Sequence, residues 1–400
     1  MDWNLKKLWP AAAASIVAFT GFVNAADDTQ MRNLENRVCA LEQRRGSNGM
    51  INPAARPKVD DGVDLFVQGS VFIWQANQSG LDYALNWHND ATPAGSNTSG
   101  HGRLKHPHSK WDWGFKVGAG YNMCHDGWDL FLEWTRFHPE RGHASTSVTP
   151  FGLTTTNTTA VVYPLLLPIN IGDTTSAFGP GYSAAMTWKF RMDLIDLELG
   201  REFFVSKWLT IRPHAGLRSA WLHQRSKISY GGLEDSLAQI SEIQVGLKNN
   251  FWGMGPRAGL DAQWGIGCGW SLYSEFAAAL LLGHFSIFEI QQPAVDSTFT
   301  TGLAIAGTSL SFAEKYRATR AAFDLALGLR YEQLFCCERY GLMVQLGWEQ
   351  HLFINQNQLT RLAHEFTTNA PVPNANAFTP VTNQGDLNTQ GVTLTVEFDF

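Results

Sequence analysis

Charged residues are scarce in this sequence, and long apolar runs are missing from it. Asp, Glu, Lys and Arg make up 16% of the 400 residues, against about 25% in a typical soluble protein. No internal stretch reaches the roughly 18 consecutive apolar residues that a membrane-spanning helix requires. The chain therefore lacks both an ordinary soluble composition and helical membrane spans. The net charge of −6 also argues against a general nucleic-acid-binding protein.

Glycine and tryptophan are abundant instead, with 37 and 15 residues, and the clearest pattern is in the last ten residues, GVTLTVEFDF. Apolar and polar side chains alternate strictly there: one set is Val392, Leu394, Val396, Phe398 and Phe400, and the other is Thr393, Thr395, Glu397 and Asp399. This period of two predicts a β-strand with a different solvent on each face. The final Phe400 favours a bacterial outer-membrane barrel, whose last strand is read by the assembly machinery, over a sandwich edge strand.

The first 25 residues have the form of an export signal. Lys6 and Lys7 precede a mostly apolar segment at 8–23, and the residues before position 26 suit a signal peptidase. We therefore predict a signal peptide at 1–25. A membrane anchor is the alternative, and the acidic pair Asp27-Asp28 disfavours it. Export places the chain in an oxidising compartment.

Residues 26–62 form a predicted periplasmic arm. Apolar residues recur in it at spacings of three and four, at Met31, Leu34, Val38 and Leu41, which predicts a short amphipathic helix. Such a helix is too short to be stable alone in water. It either associates between protomers or packs against the barrel mouth, and the sequence leaves both open. The linker at 46–61 contains Pro53 and Pro57 and is predicted to be irregular.

From Asp64 onward, alternating segments are joined in turn by short and long connections. Hairpins are predicted at 111–134, 182–223, 252–285 and 317–353, with short turns at 123–127, 204–207, 265–269 and 334–339. Long loops are predicted at 77–110, 140–181, 225–250, 286–315 and 354–388. With strands at 64–75 and 391–400 this gives ten strands, and short turns opposite long loops are typical of outer-membrane barrels. We predict an all-β, transmembrane, antiparallel, up-and-down β-barrel at 63–400.

The strand count leaves a range open, because further strands are compatible with the segments 81–87, 160–167, 240–248 and 302–312. We therefore predict 10–14 strands and a narrow pore. A change of phase between Leu194 and Ile195 predicts a β-bulge. Aromatic residues near strand ends predict the interfacial belts of a membrane protein; these are Trp111, Trp113, Trp128, Trp208, Trp252, Trp270, Tyr273 and Trp348.

Alternation also predicts which charged residues face the lumen, because charge on the lipid face costs about 2–4 kcal/mol for Arg or Lys. The candidate pore-lining residues are Lys116, Glu133, Arg212, His214, Arg218, Arg257, Asp261, Arg320, Asp324, Arg330, Glu349 and His351. The set has more basic than acidic members, which predicts a weak anion preference. The alternative for each residue is a structural salt bridge that fills the lumen.

Five cysteines, Cys39, Cys124, Cys268, Cys336 and Cys337, lie in the arm or beside the predicted short turns. Five is an odd number, so complete pairing within one chain leaves one over. We expect some of them to form disulfides to other envelope proteins or protomers, with reduced thiols as the alternative. The loop histidines His101, His106 and His108 fit solvated side chains better than a metal site, and no cofactor is predicted.

Three stretches carry a resemblance to a known family. They are LENRVCALEQRR running into NGMINPAARP, then DLIDLELGREFFVSKWLTIRPHAGLRSAW, then WGMGPRAGLDAQWGIG. They resemble the pore-forming, major-outer-membrane-protein-like proteins of Legionella and chlamydia-related bacteria. The resemblance implies an outer-membrane barrel that acts as a porin for small polar solutes and ions. It carries over no catalytic or ligand-binding residue.

Two other functions compete with the porin. An outer-membrane enzyme would need a nucleophile with its base, and no G-x-S-x-G or Ser-His-Asp grouping is present. A closed, surface-exposed structural or adhesive barrel is the stronger alternative, because the predicted outer loops are long and rich in Asn and Thr. The expected partners are outer-membrane lipid, the assembly machinery through Phe400, and small polar solutes. A homo-oligomer and disulfide-linked envelope proteins remain open.

Overall fold

The computed structural model describes residues 59, 64–89, 100–107, 109–123, 127–148, 160–165, 181–234, 239–294, 310–335, 339–365 and 377–400. Their strands are β1 (Leu65–Gln78), β2 (Ala84–Asn89), β3 (Gly100–Lys105), β4 (Trp111–Asn122), β5 (Trp128–Phe137), β6 (Gly142–Ser147), β7 (Ala160–Pro164), β8 (Ser183–Arg201), β9 (Phe203–Phe204), β10 (Leu209–Glu234), β11 (Gln239–Gly267), β12 (Trp270–Ala294), β13 (Leu310–Phe335), β14 (Tyr340–Glu365) and β15 (Ala377–Asp399). No helix among the described residues is long and apolar enough to cross a membrane.

The strands close into an antiparallel ring. Neighbours around it follow the order β1, β4, β5, β8, β10, β11, β12, β13, β14, β15, and β15 pairs back onto β1. The described ring therefore has ten positions, the lower limit of the predicted range. Two short strands extend it. β6 pairs with the first part of β8, which continues past the end of its pairing with β5, and β9 pairs with β10. The all-β transmembrane barrel predicted from the sequence is confirmed.

A separate three-stranded sheet, β3-β2-β7, lies outside the ring order. It contains the segments near 81–87 and 160–167 that the sequence offered as further barrel strands. The segment before β2 turns inward, so that Leu81 and Tyr83 are buried, and Tyr230 of β10 donates a hydrogen bond to the Tyr83 carbonyl at 2.5 Å. Burial raises the pKa of the Tyr83 phenol.

Alternation sends one set of side chains outward and the other inward along every ring strand. On β15, Leu394 is 46% exposed and its neighbour Thr393 is 1% exposed. Within the belt that lipid surrounds, the outward set is mostly apolar, because an exposed charge is costly there. The aromatic belts are present: Trp111, Trp113, Trp128, Trp208, Trp252, Trp270 and Trp348 are all exposed. Tyr273 was assigned to them wrongly, because its phase on β12 points it inward and it is buried.

Several predicted boundaries are wrong. Residues 225–250 were predicted as a loop, but β10 and β11 pair from Leu209↔Trp264 to Glu234↔Gln239. The predicted loops at 286–315 and 354–388 are also too long, because β12, β13, β14 and β15 extend into them. The polar residues that suggested loops lie on strands that extend beyond the apolar belt, where both faces of the sheet accept polar side chains.

The predicted bulge at Leu194 and Ile195 is also absent. The β8–β10 ladder continues in register through Leu194↔Ala220 and Ile195↔Ser219. The change of phase has another cause: the inward residues of β8 are apolar from Ala184 to Leu194 and acidic at Asp196 and Glu198. The register shifts of the described ladders lie elsewhere, at Gly265/Gly267 and Phe353/Asn357.

The apolar part of the interior lies toward the end of the ring that carries the long connections, here called the loop end. We name it the aromatic layer, and it comprises Phe72, Trp74, Phe137, Trp188, Phe190, Phe251, Phe285 and Phe353. Phe72 stacks on Trp74 with ring centroids 3.6 Å apart, and Phe137 meets Trp74 edge-on at 5.7 Å. Burying each of these side chains stabilises the fold by about 1.5–3 kcal/mol. The predicted signal peptide and most of the arm lie outside the described residues.

Candidate functional site

Toward the opposite, short-turn end, the interior is lined by ionisable side chains. We name this set the charged layer, and it comprises Lys116, Asp129, Glu133, Asp196, Glu198, Arg212, His214, Arg218, Arg257, Asp261, Glu275, Asp324, Glu349 and His351. Each occupies an inward position of its strand, and most of the outward neighbours are apolar. Alternation therefore delivers charges from eight ring strands into one enclosed volume.

Arg218 of β10 is at the centre of this layer and is only 1% exposed. It donates to Asp196 of β8 through Nε and Nη2 at 2.6 and 2.7 Å. Its guanidinium also reaches Asp324 of β13, at 3.0 Å from Nη1 and 2.7 Å from Nη2. Strands β11 and β12 separate β10 from β13 in the ring, so the contact with Asp324 crosses the lumen. This two-sided pairing is the geometry in which a guanidinium binds carboxylates most strongly.

Arg212 and Arg257 extend the layer on either side. Arg212 donates to both oxygens of Asp129, at 3.1–3.2 Å from Nε, and to Asp261 at 2.8 Å. Arg257 pairs with Asp324 at 3.1 Å and also with Glu198. His214 lies 3.3 Å from Asp261. The three arginines thus link carboxylates of β5, β8, β11 and β13 into one network.

Lys116 and His351 complete the network on the other side of the ring. The ammonium of Lys116 on β4 lies 2.8 Å from Glu349 of β14 and 3.8 Å from Glu133. His351 lies 2.7 Å from Asp324 through Nδ1 and 3.6 Å from Glu349 through Nε2. Strands β1 and β15 lie between β4 and β14, so the Lys116–Glu349 pair also crosses the lumen.

Trp74 joins the two layers. Its indole Nε1 donates to Thr393 at 3.0 Å, and Lys116 lies 5.5 Å from its ring centroid. The His351 ring centroid is 4.7 Å away on the same side of the lumen. The indole is therefore apolar toward Phe72 and polar toward the charged layer.

Within this arrangement the described interior has no wide opening. Lys116, Asp196, Arg218 and Glu349 are each less than 10% exposed, whereas residues that line a water-filled channel are accessible to water. Ten strands lie close to the eight whose interior side chains fill. A solute can therefore pass this level only if ion pairs exchange partners or separate.

The sequence comparisons agree with this architecture. The family model described as Legionella pneumophila major outer membrane protein precursor matches residues 56–400. The chain belongs to this family. The match spans all the described strands and confirms the resemblance and the bacterial outer-membrane location. No curated protein matches the chain.

Several solved structures are similar to this member of the family at low sequence identity. The outer membrane protease OmpT from Escherichia coli is 9% identical at a TM-score of 0.35, over 84% of this chain and 96% of that one. A Pseudomonas aeruginosa FadL homologue is 9% identical at 0.25, over 87% and 92%. The Pseudomonas putida toluene transporter TodX is 9% identical at 0.27, over 88% and 93%.

Of the twelve candidate residues predicted from sequence, ten lie in the charged layer; Arg320 and Arg330 lie apart from it. Arg320 stacks over Phe285 at 4.9 Å in the aromatic layer. Arg330 pairs with Glu332 near the short-turn end. The structure thus brings ten of the set together through ion pairs, and their role in lining a pore stays a prediction.

Sequence reasoning missed four carboxylates: Asp129, Asp196, Glu198 and Glu275. The incorrect bulge on β8 left Asp196 and Glu198 without an inward assignment. An unbroken phase through 184–200 would have found both, because every even-numbered residue there is inward. Glu275 accepts a hydrogen bond from Gln345 at 2.8 Å, and its position two residues after the misassigned Tyr273 was the available signal.

Proposed function

We propose that this outer-membrane barrel is a narrow porin that admits small cations and small polar solutes by passive diffusion, through the charged layer. The observation that carries the proposal is the charged layer itself, in the part of the barrel that the apolar belt surrounds. Removing a charge from water costs several kcal/mol per ion, and apolar residues of similar volume often serve stability as well or better. The aromatic layer of the same barrel is such an alternative. Retained charge at this level is therefore best explained by ion passage.

The charges favour cations. The carboxylates are Asp129, Glu133, Asp196, Glu198, Asp261, Glu275, Asp324 and Glu349, and the permanent cations are Lys116, Arg212, Arg218 and Arg257. Acidic groups thus outnumber permanent cations two to one, and a surplus of carboxylates attracts cations into a pore. The weak anion preference expected from the sequence rested on a set without Asp129, Asp196, Glu198 and Glu275, and the proposal replaces it.

The test is single-channel recording of the refolded protein in planar bilayers, with the reversal potential measured in a KCl gradient. We expect a small conductance and a reversal potential on the cation side. The double variant Glu133→Gln/Glu275→Gln should move the reversal potential toward zero. Asp193→Asn is the matched control, because this carboxylate faces outward and pairs with His138 at 2.8 Å. An anion-selective wild type, or equal shifts in both variants, would contradict the proposal.

A specific observation favours a second candidate, a closed surface-exposed barrel. The aromatic layer and the inward-turned Leu81 and Tyr83 fill the interior on the loop side of the charges. In this case the wild type shows no conductance above bare lipid and liposomes do not swell in a small sugar. The double variant Phe137→Ala/Phe190→Ala should then create conductance. If the wild type conducts and this variant conducts no more, the aromatic layer is not the barrier.

The remaining expectations concern export and partners. We infer that residues 1–25 are removed on export and that the assembly machinery reads the last strand. Phe400 supports the second point, since it is 40% exposed while its backbone amide donates to Leu65 of β1 at 2.9 Å. Intermolecular disulfides also stay a prediction. Cys268 is exposed in the tight β11–β12 turn, and the other four cysteines lie outside the described residues.

A further inference from the structure

The outward surface of β8, β10 and β11 changes from apolar to basic beyond the belt. Going toward the loop end, the last lipid-facing aromatic residues on β10 and β11 are Trp221 and Trp252, which lie directly opposite each other. Interfacial tryptophans mark the level of lipid headgroups. Beyond them the outward positions hold Lys189, Arg191, Arg225, Lys227 and Lys248, here called the basic face.

Strand register places like charges of the basic face side by side. Arg225 of β10 is paired with Lys189 of β8 on one side and with Lys248 of β11 on the other. Residues directly opposite on antiparallel strands have Cβ atoms about 4.5–5.5 Å apart, and like charges there destabilise the sheet. Three cations in one row are therefore unfavourable unless an anion lies against them.

The protein itself offers few carboxylates to the basic face. The ion pairs of the described residues include no member of the basic face. The nearest outward carboxylate on β8, Asp193, is occupied by His138. The ammonium of Lys248 lies 5.0 Å from the centroid of the Phe288 ring, which supplies no negative charge. Arg191, Arg225, Lys227 and Lys248 are exposed, so an external anion can reach them.

A groove borders the basic face on the β5 side. It is open to solvent, has a volume of about 460 Å³ and is lined by His138, Pro139, Glu140, Arg141, Lys189 and Arg191. The row at Arg225 lies four residues past Trp221, or roughly 13 Å along the strand. With the tilt usual for barrels, this is about 10 Å higher along the membrane normal. This row is therefore above the boundary marked by the tryptophans, at the height to which the phosphorylated sugars of a glycolipid extend on the loop side.

We propose that the basic face binds the phosphate groups of an outer-leaflet glycolipid, with its acyl chains against the apolar belt below. Three features select a phosphate-bearing lipid. The cations point away from the barrel axis, they lie directly above lipid-facing residues, and guanidinium groups bind phosphate through two parallel hydrogen bonds. This proposal is independent of whether the barrel conducts ions.

The test measures binding of diphosphoryl lipid A to the full chain refolded in uncharged detergent, by native mass spectrometry. We expect the double variant Lys189→Gln/Arg225→Gln to raise the dissociation constant at least tenfold. The matched control is Lys315→Gln/Arg317→Gln, which removes two exposed cations from the outer side of β13. The control should stay within twofold of the wild type. The same lipid A without its phosphates should bind the wild type at least tenfold more weakly.

The remaining outcomes are also decisive. Equal weakening in both variants, or equal binding of dephosphorylated lipid A, would overturn the proposal. Inorganic phosphate that binds as tightly as lipid A would make this a free-anion site and overturn the lipid assignment. In lipid-free detergent, Lys189→Gln/Arg225→Gln should unfold at the same or a higher temperature than the wild type, because like-charge repulsion is relieved. A lower unfolding temperature would make these cations structural and would overturn the inference.

Discussion

The two halves of the barrel interior share one backbone pattern and have opposite chemistry. On β8 every second residue from Ala184 to Leu194 faces an apolar interior, and the next two inward residues, Asp196 and Glu198, enter the charged layer. The ladder to β10 does not change at the junction. Alternation therefore fixes the direction of a side chain, whereas the neighbours across the lumen determine what chemistry is tolerated there.

The halves should also respond differently to mutation. Packing in the aromatic layer is non-directional, so its residues tolerate changes that preserve volume. The charged layer consists of shared ion pairs. The single carboxylate of Asp324, for example, contacts Arg218, Arg257 and His351. Removing one partner leaves another charge buried and uncompensated. Substitutions in each layer test whether the two halves differ in this way.

The largest effect is expected for Arg218→Ala, which leaves Asp196 and Asp324 without their main partner. We expect it to lower the free energy of unfolding by about 3–5 kcal/mol, as measured by urea unfolding in detergent micelles. Arg191→Ala is the control on the outer surface of β8, with a change within about 0.5 kcal/mol. A loss below about 1 kcal/mol for Arg218→Ala would mean that water solvates the charged layer.

A smaller loss is expected for Leu222→Ala in the apolar half, where the side chain is 0% exposed. The lost burial and the cavity should cost about 3 kcal/mol. Leu217→Ala is matched to it on the same strand, but this leucine faces lipid and is 50% exposed. Lipid can fill the space that Leu217→Ala creates, so its cost should be below about 1 kcal/mol. Equal costs would show that Leu222 is not enclosed by a packed interior.

The smallest effect is expected for Ser70→Ala at the closure of the ring. The Ser70 hydroxyl lies 2.8 Å from that of Thr395, across the β1–β15 pair. Losing this buried hydrogen bond should cost about 1 kcal/mol, again measured by urea unfolding. Thr319→Ala, at an exposed position of β13, should change the free energy by less than about 0.5 kcal/mol. A neutral Ser70→Ala would show that the hydroxyl pair contributes nothing to closure.

The sequence predicted the barrel and most of the charged layer because apolar and polar residues alternate strictly inside the belt. It failed where this contrast weakens. Beyond the belt, β10 carries Arg225 and Lys227 outward and Gln224 and Ser226 inward, so the strand resembled a loop. On β8 the outward residues Lys189, Arg191 and Asp193 are charged while their inward neighbours are apolar, and this order reverses after Leu194, which produced the wrong bulge. The sequence could not predict the ion-pair partners, because the pairing depends on which strands face each other across the lumen.

The closing ladder of the ring has a consequence for the order of folding. It joins Phe66 to Asp399 and Gln78 to Leu387, so its partners are separated by more than three quarters of the chain. Contacts this distant in sequence form late and slowly. Until they form, β1 and β15 each present an unpaired edge that another chain can add to. The interval before closure is therefore when the newly exported polypeptide is most vulnerable to aggregation and most in need of a chaperone.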